Sequence, residues 1–135
     1  MPSHANNPLI VVQVLSCLFF AVLFIQSGLD KVFDWKGNLG WMTPHFSKSP
    51  LRGAVPLMLG VITLMELAAG FLSAAGLVLL LVSGALWLAF LGVSIAGFAL
   101  VGLFFGQRMA KDYAGAAALV PYFLAAIAGI ASLRG

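Results

Sequence analysis

Apolar residues fall into long runs with the polar residues gathered between them, and this alternation sets the map of elements. Residues 9–29 form the first run, broken only by Gln13, Ser16, Gln26 and Ser27. A cleaved leader has a basic start, a shorter apolar core and a small-residue cleavage site; residues 1–8 carry no Lys or Arg, so the run is expected to remain as helix one. Residues 30–53 are the one long polar connection. Within it Trp35, Leu39, Met42 and Phe46 recur at i, i+4, i+7 and i+11, one face of a helix. Pro44 should end that helix near Met42 or Thr43. The expectation is a short amphipathic helix over 34–43, lying at a membrane interface with Trp35 and Trp41 as anchors.

Residues 55–105 are apolar with a single charge, Glu66, too long for one crossing and long enough for two. Pro56 suits a first helical turn, where its missing N–H is not needed. Ser73-Ala74-Ala75-Gly76 is the weakest helical point, which predicts a tight turn there, helix two over 55–72 and helix three over 77–105. Such a third helix is over-long and must tilt or protrude. Residues 106–112 form the third connection, with Asp112 placed to cap helix four over 113–133. Pro121 inside that helix removes one donor and frees the carbonyl of Ala117, which predicts a kink.

Each crossing of about 30 Å of hydrocarbon needs roughly 20 apolar residues. Four crossings and their connections fill the 135 residues, so one domain is expected: an all-α integral membrane four-helix bundle with a short interfacial helix between helices one and two. Composition agrees, with 62% hydrophobic and 8% charged residues against about a quarter charged in soluble domains. The net charge of +3 arises from basic residues at the ends of apolar runs, which is membrane anchoring and not nucleic-acid binding. Counting Lys and Arg by side puts both charged connections in the cytoplasm and both termini outside. The expected setting is a bacterial inner membrane. A single cysteine, Cys17, excludes a disulfide framework and a cysteine metal set.

Glu66 is the residue whose position asks for an explanation, because a charge at the bilayer centre costs about 2.5 to 3.5 kcal/mol. Thr63, Ala69 and Gly70 share its helical face, which is therefore turned toward other helices. With helix two starting at 55, the antiparallel first helix brings Gln13, Ser16 and Cys17 to similar depth, so Ser16 or Gln13 is the expected polar neighbour. Two readings stay open: a proton relay or quinone contact, and a protonated Glu holding a hydrogen bond. His45 can donate to a quinone carbonyl or simply face solvent. Asp30 with Lys31, and Arg108 with Asp112, read as helix-end pairs that orient and cap. Gly102/Gly106, Ala114/Ala118 and Ala125/Gly129 have the spacing of close helix contacts. No nucleophile and base pair, metal spacing, phosphate loop or haem pattern is visible, so no catalytic residue is assigned.

Three segments resemble the DoxX-like family of small four-helix membrane proteins, which includes the membrane subunit of thiosulfate:quinone oxidoreductases. They are Gln26-Ser27-Gly28-Leu29-Asp30-Lys31, then Met65-Glu66-Leu67-Ala68-Ala69-Gly70-Phe71-Leu72 followed by Gly76-Leu77, and the stretch from Gly106-Gln107-Arg108 to Tyr113-Ala114-Gly115. Family members often carry a basic residue soon after the turn between helices two and three; residues 76–81 have none. The resemblance implies a quinone-linked setting, a quinone as the one cofactor, and other membrane subunits as partners beside the bilayer itself. Three functions follow: a non-catalytic accessory subunit of a redox complex, a quinone-binding oxidoreductase subunit, and a small proton-coupled transporter using Glu66. Against the last stand the lack of a second intramembrane acid and of an inverted repeat.

Overall fold

The computed structural model describes residues 8–133. Among them the chain forms α1 (Ile10–Phe33), α2 (Trp35–His45), a 3-10 turn at Arg52–Ala54, α3 (Val55–Ser83), α4 (Trp87–Met109), α5 (Tyr113–Ala118) and α6 (Val120–Leu133), with no strand among the described residues. Four stretches are long and apolar enough to cross a membrane: α1, α3 with its 3-10 turn, α4, and α5 with α6 taken together. The chain ends that the charge count puts outside, residues 1–7 and 134–135, lie outside the described residues.

The turn expected at Ser73–Gly76 is not there. α3 runs on to Ser83 and reverses at Gly84, whose φ of 75° is the left-handed conformation that glycine adopts without a Cβ penalty and whose N–H closes on Leu80 O at 2.9 Å. Ser73 and Gly76 instead form the tightest crossing in the hairpin. Gly76 faces the backbone of Ala89, and a Cβ added at Gly92 would lie 2.5 Å from Ser73 N. Small residues mark turns in water but also close helix contacts in lipid, and the sequence pattern alone reads the same for both.

The later turn lengthens α3 and shortens α4. α3 is 29 residues, about 43 Å, and α4 is 23, about 35 Å. α1 extends past the expected Leu29 to Phe33, because Lys31 is drawn inward rather than ending the helix. Gly28 abuts Leu67 and Gly70 abuts Ile25, so the N-terminus of α1 runs toward the far end of α3 and not toward its middle. α3 packs against both α1 and α4, and α6 closes the ring between α4 and α1, where Gly129 touches Ser16 and Val93.

Two apolar clusters result. Cys17, Phe20, Phe24, Ala69, Ala89, Val93, Ala96, Ala99, Leu100, Ala126 and Leu133 fill the four-helix region. The first turns of α3 reach beyond the end of α1, and there Val55 and Leu59 pack against Met42 and Phe46 of α2. A single residue, Asp34, joins α1 to α2, ending one helix and capping the next through its side chain, which accepts from Gly37 N at 3.2 Å.

α2 outlasts its expected end by two residues and includes Pro44. The proline sits in the last turn, so only one internal bond is lost, and Phe46 N still reaches Met42 O at 2.9 Å. The interruption associated with Pro121 falls at Leu119, which separates α5 from α6.

Candidate functional site

Glu66 is 2% exposed and meets the last turn of α1. Lys31 Nζ lies 2.8 Å from Glu66 Oε1, and that contact is electrostatic rather than an aligned hydrogen bond. Lys31 Nζ also donates to Ser27 Oγ at 2.8 Å, and Ser27 Oγ donates to Glu66 Oε2 at 2.9 Å. The three side chains form a closed cluster in which a carboxylate gains a cation and a hydroxyl donor. Serine and lysine reach it together because they stand one helical turn apart on α1. A buried pair of this kind offsets its own desolvation only when both partners are present.

This corrects the expected neighbours. Gln13 is at the other end of the bundle, donating from Nε2 to Ser132 O at 2.7 Å, and Ser16 packs on Gly129. Thr63 turns its hydroxyl back to Leu59 O at 2.6 Å. The error lies in taking residue 55 as level with the end of helix one: α3 does begin at Val55, but its first turns overhang the end of α1 and pack on α2, so Glu66 comes level with Ser27 and Lys31 and not with Ser16. Ser27, missed as a site residue, was legible from its i, i+4 spacing to Lys31 once α1 is carried past Leu29.

The other charged candidates sort differently from the sequence pattern. Lys31 turns to Glu66 and not to Asp30, whose side chain is exposed. Asp112 Oδ1 accepts from Gly115 N at 2.9 Å and so caps α5, while Arg108 stacks over the ring of Tyr113 at 4.7 Å. His45 Nε2 donates to Gln107 Oε1 at 2.7 Å and lies 3.8 Å from Asp112 Oδ2, so the end of α2 is fastened to the α4–α5 junction. Trp41 and Phe46 flank the His45 ring edge-on, each at 5.1 Å. Trp35 rests on α3 near Gly60, whereas Trp41 is 53% exposed.

Between α2, the first half of α3 and the end of α4 lies a groove of about 520 Å³. Met42, Met58 and Met65 line it with Trp41, Phe46 and Phe105, and Lys31 and Gln107 supply its polar side chains. Methionine side chains adapt to irregular ligands, and a volume of this size lies in the usual range for a small-molecule site. Gly102 and Gly106 also border it. They do not make the close helix contact that their spacing suggests: a Cβ at Gly102 would meet only Ile62 Cδ1, at 3.9 Å, so the missing side chains leave the groove its width. Ala114 and Ala118 are exposed, and of the three glycines in these pairs Gly129 alone lies in a contact tighter than ordinary packing. Among the described residues no group of three His, Cys, Asp or Glu side chains gathers as a metal site would require.

No family model, curated protein or solved structure matches this chain. The resemblance to the DoxX-like family rests on the short segments that carry it, two of which contribute Ser27, Lys31 and Glu66.

Proposed function

We propose that the chain is a small integral membrane subunit of a quinone-linked redox complex, itself non-catalytic, and that it receives the quinone in the groove between α2, α3 and α4. The observation that carries this reading is the groove: an apolar space of ligand size whose wall includes Lys31, a hydrogen-bond donor held in place by Glu66 and Ser27. Lipid-soluble rings with a carbonyl suit such a lining. In this reading α2 lies in the headgroup region with Trp41 as its anchor, and the two basic connections face the cytoplasm. The pairing of Glu66 with Lys31 weakens the transporter alternative, which needs a carboxylate able to exchange its proton in transit.

Purification of the full chain from its native membrane in mild detergent, followed by solvent extraction, tests it. Bound quinone and co-purifying membrane subunits are expected; a lone monomer whose extract holds lipid but no quinone overturns the reading. Labelling of single cysteines introduced at Lys48 and Lys111, in a Cys17→Ala background, should mark both on the cytoplasmic side.

A further inference from the structure

We infer that the groove is selective for amphiphiles with an uncharged carbonyl headgroup and discriminates against anionic ones, and that Glu66 sets this preference without touching the ligand. The inference rests on the groove being the ligand site proposed above. Among the described residues Lys31 is the one ionisable residue lining the groove, and taken alone it would recruit a carboxylate or phosphate from the membrane. It is not alone. Glu66 stands 2.8 Å behind it, 2% exposed and out of a ligand's reach, and cancels the charge.

What the groove presents is therefore a donor without net charge. An ammonium has three N–H groups; one serves Ser27 Oγ, a second faces Glu66 Oε1, and the third remains to donate to an acceptor in the groove. A carbonyl accepts that bond and brings no charge to be desolvated. A carboxylate accepts it too, but it must leave water for an apolar space where Lys31 is already neutralised, and that transfer is unfavourable without an uncompensated cation. The remaining walls, Met42, Met58, Met65 and Phe105, accept an alkyl or isoprenoid tail of either ligand equally and do not discriminate.

Trp41 borders the groove and serves as the reporter, with Trp35→Phe and Trp87→Phe removing the other two indoles. The probes are dibromostearate and its methyl ester, whose bromines quench indole fluorescence, titrated at mildly alkaline pH in detergent micelles. For the native pair, saturable quenching by the ester is expected at about tenfold lower concentration than by the carboxylate. Glu66→Gln leaves Lys31 uncompensated and should reverse the order. The double variant Lys31→Gln with Glu66→Gln restores a neutral donor and should restore the preference for ester, which keeps the idea testable if the single variant folds poorly. Equal quenching by both probes with the native pair, or an unchanged ratio in a folded Glu66→Gln protein, overturns the inference. A short-tailed quinone added as competitor separates the two proposals: failure to displace a saturably bound ester removes the quinone reading and leaves the charge selectivity standing. If quinone is recovered from the native protein but ester and carboxylate are not distinguished, the reverse holds.

Discussion

Near the Gly84 turn, α3 and α4 meet through Ser73, Gly76, Ala89 and Gly92, and a Cβ at Gly92 would press to 2.5 Å from the Ser73 backbone. At the other end of the same two helices, Gly102 has only a side-chain tip of Ile62 near it, at 3.9 Å, and methionines and aromatic rings surround an open groove. Glycine does opposite things in the two places. At Gly76 and Gly92 it lets backbones touch, which is how helices gain packing in lipid where burial of apolar surface gives no advantage. At Gly102 it withholds a side chain so that space remains. The difference follows from length: α1 flanks α3 up to the Lys31–Glu66 cluster, and past the end of α1 the shorter α2 takes its place beside α3.

Gly92→Leu should produce the largest effect, a loss of about 3 kcal/mol with a matching fall in folded yield, because backbone cannot move aside as a side-chain tip can. Thermal unfolding in detergent measures it; near-native stability would erase the contrast between the two ends. Glu66→Leu strands the Lys31 ammonium and should cost about 2 kcal/mol, below the range for fully buried pairs because Lys31 is 16% exposed. Lys31→Met in the same chain should recover most of that loss, and no recovery would show that the pair is not one unit. His45→Ala removes the fastening to Gln107 and should cost about 1 kcal/mol. Hydrogen exchange should then quicken in α2 alone, whereas quickening throughout α4 would mean that the groove end is as cooperative as the turn end. Gly102→Leu should change stability by about 0.5 kcal/mol or less while abolishing quinone recovery and ester quenching. A destabilisation as large as that of Gly92→Leu would show the groove to be ordinary close packing.

The number of long apolar helices was legible because a 20-residue run leaves few alternatives. The α2 helix was legible too, from one recurring face of Trp35, Leu39, Met42 and Phe46. The position of the hairpin turn was not, since Ser73-Ala74-Ala75-Gly76 and Ser83-Gly84-Ala85 are both small-residue breaks, and only the second sits where a left-handed glycine can end α3. The partner of Glu66 was not legible for a separate reason: nothing in the sequence shows that the first turns of α3 overhang the end of α1, which moves the residue opposite Glu66 from Ser16 to Ser27 and Lys31. That Glu66 turns inward toward other helices could be read from a lone acid in an apolar run with Thr63, Ala69 and Gly70 on its face. The groove could not, because Met42, Met58, Met65 and Phe105 come from three helices and converge only once the register is set.

Leu119 stands at the break between α5 and α6, and it belongs to two spaces at once. It borders the groove, and it also borders a smaller, almost wholly apolar cavity of about 250 Å³ lined with Leu100, Val101, Phe104, Val120 and Phe123. One side chain is thus a shared partition between two compartments. A larger or smaller side chain at Leu119 therefore alters the wall of both spaces together.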